Sequence, residues 1–346
     1  MVDFSLISDT YDKIHQHLVE TPLLESPFLS ERLNKRVFIK AECLQKTGSF
    51  KYRGSWSSFV NNDFEDLKKG VLAYSSGNHA QGIAAVANQL KIQATIIMPK
   101  DAPRLKIKNT QSYGANVVFY DRIKESREEI GEKLQKEKNL KLIRPYDDPF
   151  VIAGQGSLGI ELINQAKRMK LDAADVLVCC GGGGLASGIS LAFQGLNENF
   201  KVRTCEPENF DDMARSLKQK SRVTNKAMDG SICDAILTPT PGELTFEILE
   251  KYAAPGLVAS DEQVLEAMAL LFLHHNLVVE PGGAISLAAA LHQHGKIDSD
   301  ALIIVCTGGN VDPVIFSRAL DPVSYTHLRA HETREDRVCR RLLGKK

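Results

Sequence analysis

Short apolar runs alternate along the chain with longer segments in which apolar residues recur every three or four positions. The runs predict strands over residues 36–42, 70–76, 93–99, 115–121, 175–180, 201–207 and 301–309. The segments between them predict helices over residues 79–91, 104–114, 124–138, 157–170, 185–193 and 261–276. Strands separated by helices indicate βαβ units and parallel sheets, whose ligands gather at the carboxyl ends of the strands. We therefore expect an α/β protein with either two lobes or one large domain.

The alternation is interrupted at two places. Near residues 146–154, proline and glycine break the pattern in RPYDDPFVIAGQG, which predicts a boundary. The last 24 residues, 323–346, have weak periodicity and hold seven Lys/Arg against three Asp/Glu. A functional basic tail is one interpretation of them. We favour foreign sequence of the kind that read-through translation adds, and we leave it out of the fold argument.

Composition narrows the function classes. The 346 residues carry 43 basic and 43 acidic side chains, which gives no electrostatic case for nucleic acid or an anionic membrane surface. No apolar run reaches the ~18 residues of a membrane span. The N-terminus MVDFSLISDTYDK has no basic region before a long apolar block, so no secretory signal is expected. Seven cysteines without CxxC spacing indicate reduced thiols in a cytoplasmic protein rather than disulfides or zinc.

A run of four glycines, Gly181–Gly184, ends one predicted strand and opens directly into a helix. Glycines let the backbone approach an anion closely, and a helix N-terminus offers free N–H groups and a positive dipole end. The stretch therefore predicts a phosphate site, with a tight turn as the plainer alternative. It also matches the dinucleotide pattern G-x-G-x-x-A as Gly181, Gly183 and Ala186, with an acid, Glu206, about 20 residues further on.

A single lysine, Lys51, lies between two aromatic residues in KTGSFKYRGSW. An amine held beside Phe50 and Tyr52 would be partly desolvated, which disfavours its charged form and makes it a usable nucleophile. The alternative is a basic surface loop that also contains Lys46 and Arg53.

Three further loops carry polar groups. SSGNHAQG (75–82) brings hydroxyl, amide and N–H groups to a helix start, which suits a carboxylate or simple helix capping. AGQGSLG (153–159) matches G-x-G-x-x-G weakly, and we expect a turn leading into a helix. CTGGN (306–310) ends a strand and presents Thr307. A phosphate site, a carboxylate site and a nucleophilic lysine together are what a phosphate-bearing aldehyde cofactor requires.

The motifs SFKYRG, SSGNH, GGGG and TGGN, in this order, resemble the fold-type II pyridoxal-phosphate enzymes of the serine/threonine dehydratase and serine racemase family, over residues 15–320. The resemblance implies that Lys51 forms an imine with pyridoxal phosphate. It implies further cofactor contacts from Phe50, Asn78, Gly181, Gly182, Gly183, Gly184, Glu280 and Thr307. It implies that the substrate carboxylate is surrounded by Ser75, Ser76, Gly77, Asn78 and His79. For Glu280, the alternative is an acid that only precedes a helix.

The same resemblance implies a larger lobe from residues 1–54 and 151–322, a smaller lobe from residues 66–150, and a homodimer. The stretch EPENFDD is similar to the family's divalent-cation site, which would use Glu206, the carbonyl of Phe210 and Asp212. Oxygen ligands of this kind suit Mg²⁺ or Ca²⁺. A surface acidic loop is the alternative. A cation site would reassign Glu206 and displace the dinucleotide hypothesis, which has no use for Lys51.

The implied reaction is the loss of a β-hydroxyl from a small hydroxy amino acid. Lys51, freed when the substrate amine displaces it, would take the Cα proton. A hydroxyl at Thr307 would leave the pyridine nitrogen neutral and favour prompt elimination over a long-lived carbanion. VVEPGGA (278–284) and TPTPGELTFEI (238–248) favour dehydration of L-threonine and L-serine.

Ser76 keeps two alternatives open, a serine racemase and a threo-3-hydroxyaspartate ammonia-lyase, because a second acid/base there could reprotonate the other face. A non-catalytic binding protein and a dinucleotide-dependent oxidoreductase are the rival classes. The first would lack Lys51 or the run of glycines, and both are present. The second would lack the absorbance of an imine and its loss on reduction with borohydride.

Overall fold

Two sheets, both mainly parallel, organise the chain. The computed structural model describes residues 2–75, 77–121, 123–196, 199–227 and 229–321. The strands are β1 (Leu23–Glu25), β2 (Arg36–Lys40), β3 (Val71–Tyr74), β4 (Ala94–Pro99), β5 (Asn116–Tyr120), β6 (Lys141–Leu142), β7 (Ala174–Cys179), β8 (Phe200–Pro207), β9 (Ala254–Ala259) and β10 (Ala301–Val305). The larger sheet has the order β1-β2-β10-β7-β8-β9, and the smaller has the order β5-β4-β3-β6. Every pairing is parallel except that of β1 with β2.

Helices cover both sheets. They are α1 (Phe4–Ile14), α2 (Pro27–Leu33), α3 (Lys51–Asn61), α4 (Phe64–Leu67), α5 (Asn78–Gln89), α6 (Arg104–Ser112), α7 (Arg127–Lys138), α8 (Pro149–Arg168), α9 (Gly184–Leu196), α10 (Asp212–Gln219), α11 (Glu243–Tyr252), α12 (Asp261–His275) and α13 (Pro281–Gln293). The expected α/β class with two helix-flanked parallel sheets is confirmed. Within the described ranges, no helix has the length and apolarity to cross a membrane.

Local chemistry sets the ends of several helices. The side chain of Asp148 accepts hydrogen bonds from the N–H groups of Phe150 and Val151, and Pro149 occupies the first turn of α8. Ser260 and Gln263 form a capping box at the start of α12, which ends at Asn276 in the left-handed conformation. These caps account for helix ends that apolar periodicity alone does not define.

The core of the larger sheet lies on both of its faces. β7 and β10 are buried along their whole length, and separate apolar clusters pack on the two faces. Burial on both faces is what parallel strands covered by helices require, and it explains their nearly continuous apolar sequences. The paired central strands therefore hold their carboxyl ends in fixed positions along one edge.

The expectation for AGQGSLG was wrong, because residues 153–159 lie inside α8 and do not form a turn leading into a helix. A Cβ on Gly154 would lie 2.6 Å from the carbonyl oxygen of Arg53, and one on Gly159 would lie 2.6 Å from the Cβ of Ala192. These glycines let α8 approach α3 and α9 closely. The predicted lobe boundary at residue 54 falls within α3, and the lobe boundaries stay a prediction.

Candidate active site

A cavity opens where the carboxyl ends of strands from both sheets face each other. Its wall contains Phe50, Lys51, Ser75, Gly77, Asn78, His79, Gly181, Gly182, Gly183, Gly184, Glu280 and Thr307. The structure therefore brings together all the predicted cofactor and substrate residues except Ser76, which lies outside the described residues. Sequence reasoning missed further residues in this wall, including Lys106, Arg127, Tyr146 and Asp234.

Lys51 is the first residue of α3, and its amine is inside the cavity. The Nζ donates a hydrogen bond to the carbonyl oxygen of Pro145 at 2.9 Å and lies 5.1 Å from the centre of the Phe50 ring. Burial lowers the pKa of Lys51 to about 8, against a smaller opposing influence of Cys179. The alternative of a basic surface loop was wrong for Lys51 and Arg53, since Lys51 lines the cavity and Arg53 is fully buried. The lowered pKa makes the neutral, nucleophilic form of the Lys51 amine more populated near neutral pH than it would be for a surface lysine.

Two sets of contacts hold the start of α3 in place. The backbone of Ser49 bridges to Gly308, and the N–H of Phe50 donates to the carbonyl oxygen of Thr307 at 3.1 Å. Two residues beyond Lys51, the fully buried guanidinium of Arg53 donates to both carboxylate oxygens of Glu42, at 2.7 and 2.8 Å. These contacts join the segment after β2 to the segment after β10, so Lys51 and Thr307 lie in the same cavity.

The tetraglycine turn, Gly181–Gly184, joins β7 to α9 as expected. Gly183 has a φ of +95°, which L side chains rarely adopt. A Cβ on Gly182 would lie 2.3 Å from the ring of Tyr146, and the Gly182 carbonyl oxygen accepts a hydrogen bond from the Thr245 hydroxyl at 2.6 Å. The turn therefore needs glycine for both conformation and space. It presents its backbone and the N-terminus of α9 to the cavity, which is the geometry of an anion site.

The loop before α5 supplies small polar groups. The N–H of Gly77 donates to the Ser75 hydroxyl at 3.1 Å, and α5 begins at Asn78. The ring of His79 contacts the carbonyl oxygen of Ile143 at 3.2 Å through Nε2. Burial, with a further contribution from the charge of Lys51, lowers the pKa of His79 to about 3. The imidazole is therefore neutral at physiological pH.

Asn78, Glu280 and Thr307 form the floor of the cavity beside Lys51. The Asn78 amide donates to the Glu280 carboxylate and accepts from the Asn310 amide at 2.9 Å. The Thr307 hydroxyl lies 3.0 Å from the Cys179 sulfur, and both groups are buried. Burial raises the pKa of Glu280, although Lys106 opposes the rise. Glu280 thus precedes α13 but also contacts the site through its side chain.

Two cationic residues that the sequence analysis missed contribute to the wall. Lys106 contacts Asp234 at 2.8 Å and Glu280 at 3.2 Å. The Arg127 guanidinium lies 5.1 Å from the centre of the Tyr74 ring. The apolar pattern of α6 could not distinguish Lys106 from a solvated lysine, because its partners Asp234 and Glu280 are distant in sequence. Arg127 pairs with the adjacent Glu128 at 2.7 Å, which is equally typical of a surface pair.

The acidic stretch at the end of β8 does not line the cavity, and its residues Glu206, Phe210 and Asp212 are buried. The two carboxylate oxygens of Glu206 accept from the N–H groups of Met213 and Ala214, at 2.8 and 2.7 Å. One oxygen of Asp212 accepts from Asn225, and the other is buried with no partner in the part of the chain that the structure describes. Burial raises the pKa of Asp212 to about 7. Burial also raises the pKa of Glu206 well above its usual value, and the negative charge of Asp212 adds a smaller contribution to that rise.

The alternative of a surface acidic loop was wrong, since Glu206, Phe210 and Asp212 are all almost fully buried. Two buried carboxylates, one with an oxygen that has no hydrogen-bond partner among the described residues, fit a divalent cation chemically. Among the described residues, no cluster of three or more His, Cys, Asp or Glu side chains has metal-binding geometry, so a cation here would need backbone oxygen or water as well.

Comparison with known proteins agrees with this geometry. Residues 14–308 match the family described as "Pyridoxal-phosphate dependent enzyme". The chain is 41% identical to an L-threo-3-hydroxyaspartate ammonia-lyase of Pseudomonas sp, over 84% of this chain and 90% of that protein. It is 35% identical to an L-threonine ammonia-lyase of Thermotoga maritima, over 93% and 79%. The solved structure of maize serine racemase superposes with a TM-score of 0.86 at 32% identity, covering 96% of this chain and 99% of that one.

Proposed function

The chain belongs to the family of pyridoxal-phosphate dependent enzymes, and on that premise we propose that it converts L-threonine and L-serine to the 2-keto acid and ammonia. The observation that carries the proposal is the Lys51 amine, with a pKa lowered to about 8, in the same cavity as the tetraglycine turn. Relatives named as ammonia-lyases support the reaction class.

The residues fit the cofactor on structural grounds. The tetraglycine turn has no room for side chains at Gly182 and Gly183, and it suits the phosphate. Lys51 would supply the amine that holds the aldehyde, and Thr307 would supply a hydroxyl, rather than a carboxylate, to the pyridine nitrogen. Asn78, held between Glu280 and Asn310, offers its amide to the ring.

Different residues orient the substrate and take its proton during the elimination. Ser75, Gly77 and neutral His79 surround the substrate carboxylate, which orients the Cα–H bond toward Lys51. When bound, pyridoxal phosphate spreads the negative charge that proton loss leaves on Cα. The Lys51 amine takes that proton, which its lowered pKa permits near neutral pH. The proton that Lys51 takes from Cα balances the one that the β-hydroxyl needs to leave as water, and a second water hydrolyses the released enamine to keto acid and ammonia.

Replacing Lys51 by alanine tests the catalytic assignment. Lys51→Ala should abolish keto-acid release from L-threonine and L-serine, and borohydride should no longer attach the cofactor to the peptide that contains residue 51. Peptide mass measures the attachment, and a keto-acid assay measures turnover. Retained turnover in Lys51→Ala would refute the assignment. If the protein were a dinucleotide-dependent oxidoreductase, it would lack the absorbance of an imine near the violet edge of the visible spectrum. Borohydride would then attach no cofactor to the peptide.

A second candidate substrate, L-threo-3-hydroxyaspartate, is favoured by Arg127. Its guanidinium lies in the cavity wall, where it pairs with the neighbouring Glu128 at 2.7 Å and could also pair with a second substrate carboxylate. Lys106 is less available, because two acids, Asp234 and Glu280, already neutralise it. Arg127→Met should lower kcat/KM for hydroxyaspartate by about fivefold, since the Arg127 side chain is 37% exposed and already has one carboxylate partner. Turnover of L-threonine should change little, and equal losses for both substrates would remove Arg127 as a selector.

Serine racemisation is tested separately through Ser76. Ser76→Ala should suppress release of D-serine far more than release of pyruvate, if Ser76 acts as the acid/base on the second face. Equal losses would restrict Ser76 to the substrate carboxylate.

The cation site at Glu206, Phe210 and Asp212 is a proposal of the same kind. Mg²⁺ or Ca²⁺ should raise the thermal unfolding temperature of the protein, because a bound cation stabilises the folded state by mass action. Asp212→Asn should remove the response. An identical rise in the variant would place the cation elsewhere.

Assembly, compartment and the tail also stay proposals. We expect a homodimer, which light scattering would test, and a cytoplasmic enzyme. Residues 323–346 lie outside the described residues, and their removal should leave activity intact.

A further inference from the structure

Lys106 joins the two halves of the cavity by a charged contact. It lies on α6, which connects β4 and β5 of the smaller sheet, whereas Asp234 and Glu280 belong to segments that pack on the larger sheet. The Lys106 ammonium is 2.8 and 3.1 Å from the two carboxylate oxygens of Asp234, and 3.2 Å from Glu280. One cation therefore binds two acids across the cavity.

The stem of Lys106 also supports the loop before α5. The side chain is 2% exposed, and a Cβ on Gly77 would lie 2.8 Å from the Lys106 Cδ. Gly77 is thus in direct contact with the methylene chain of Lys106. Beyond it, the ammonium binds the carboxylate of Glu280, whose other oxygen accepts from Asn78. Lys106 contacts both the loop and the acid that holds the first residue of α5.

Removing the ammonium would change this arrangement electrostatically. Glu280 is almost fully buried, and Asp234 is a second carboxylate on the same cation. Without Lys106, two like charges would face each other, one of them in a poorly solvated position. Glu280 would then take up a proton or move away, and either change loosens Asn78 and the loop.

We propose that Lys106 is a positioning residue that holds Gly77 and Asn78, at the start of α5, against Glu280 and thereby sets the affinity for the substrate carboxylate. The proposal rests on the proposed function for its substrate. Lys106 acts through its contacts with Gly77 and Glu280, so we expect it to affect substrate binding more than the proton transfer at Lys51.

The test compares Lys106→Met with Lys108→Met in the holoenzyme. Methionine keeps the unbranched stem and removes the charge, and Lys108 is an exposed lysine on the same helix. Lys106→Met should raise KM by about tenfold, within the range of coupling between contacting residues, while kcat should change by a smaller factor than KM. Amide hydrogen exchange in residues 75–81 should accelerate in Lys106→Met and stay unchanged in Lys108→Met.

A double-mutant cycle identifies the charge contact itself. Asp234→Asn should raise KM by a smaller factor, since Glu280 still pairs with Lys106. Asp234→Asn should raise KM by a smaller factor when it is added to Lys106→Met than when it is added to wild type, because it relieves the repulsion between the two carboxylates. If Lys106→Met does not fold, Asp234→Asn against wild type decides the question through the same KM and exchange measurements.

Two outcomes separate this proposal from the proposed function. If Lys106→Met matches Lys108→Met in both KM and exchange, Lys106 does not position the loop. If wild type binds the cofactor but turns over no hydroxy amino acid, the proposed function fails. The exchange measurement then decides alone, with faster exchange in Lys106→Met supporting the positioning role and unchanged exchange overturning it.

Discussion

Two glycine-rich stretches with similar sequence patterns have different roles in this molecule. Gly181–Gly184 follows a buried strand and lines the cavity, whereas Gly154, Gly156 and Gly159 lie inside α8 and face other helices. A Cβ on Gly156 would lie 2.9 Å from the carbonyl oxygen of Gly188 in α9. The first stretch makes room for a ligand, and the second makes room for the backbone of another helix.

The difference shows that spacing of glycines alone does not predict a ligand site. What distinguishes the stretches is the preceding element, because a complete strand leads into Gly181 and only a short apolar run precedes Gly154. A glycine at the carboxyl end of a parallel strand lies where ligands bind. A glycine within a helix costs helical stability, so a packing reason has to offset that cost.

The largest effect is expected from Gly188→Ala, at the crossing of α8 and α9. A Cβ there would lie 2.4 Å from the carbonyl oxygen of Ile152, and backbone cannot move aside easily. We expect a loss of about 3 kcal/mol in the free energy of unfolding, at the upper end for overpacking. Denaturant unfolding measures it, and a loss under about 1 kcal/mol would contradict tight packing at this crossing.

Next in size is Gly182→Ala, which should act on the cofactor rather than on the fold. The new methyl group would meet the ring of Tyr146 at 2.3 Å and push the turn or the ring out of position. Affinity for pyridoxal phosphate should fall by roughly tenfold to a hundredfold, as overpacking of 1–3 kcal/mol implies. Titration followed by absorbance measures it. If Gly182→Ala left the affinity for pyridoxal phosphate unchanged but strongly lowered the free energy of unfolding, Gly182 would serve packing, as the glycines of α8 do.

The pH dependence of cofactor capture tests the role of Lys51 in the cavity that the tetraglycine turn lines. The neutral amine of Lys51 attacks the aldehyde, and its pKa is lowered to about 8 by burial. The rate of cofactor capture by cofactor-free protein should rise through pH about 8 and then level off. For a lysine with an ordinary pKa, the rate of capture would continue to rise toward pH about 10. Stability of the cofactor-free protein should fall as pH drops from the ordinary lysine pKa toward about 8, with no further loss from this group below it.

The smallest effect is expected from the control Gly295→Ala. No atom lies within 4 Å of the added Cβ, and its φ is not in the left-handed region. Stability should change by less than about 0.5 kcal/mol, as for ordinary surface substitutions. A larger loss would mean that glycine replacement itself, rather than the contacts described, lowers stability.

Much of the fold could be predicted because the central strands are continuous apolar runs. The strand β9 was missed because Pro255 and Gly256 interrupt it, and the short strands β1 and β6 have too few residues to form a pattern. The helix α13 was missed for the opposite reason, since it is buried on all sides and therefore has no polar face to mark its period.

The candidate site could be predicted as far as each residue belonged to a local motif. Lys51, Asn78, Thr307 and the tetraglycine turn stand in short recognisable stretches, and the structure brings them into one cavity. Lys106 and Asp234 could not be found in this way, because 128 positions separate them and neither lies in a distinctive stretch. Contacts between side chains on different sheets depend on tertiary packing, which periodicity does not encode.

The backbone bridge between Ser49 and Gly308 has a consequence for how the enzyme is made. A ribosome releases the N-terminal residues first, so the segment carrying the reactive amine emerges long before its partner after β10. Until most of the polypeptide has been synthesised, neither the bridge nor the hydrogen bond from Phe50 to Thr307 can form. Nascent chains in which residues 307 and 308 have not yet emerged therefore lack these two supports of the segment that carries Lys51, and we expect them to bind the cofactor more weakly than the folded protein does.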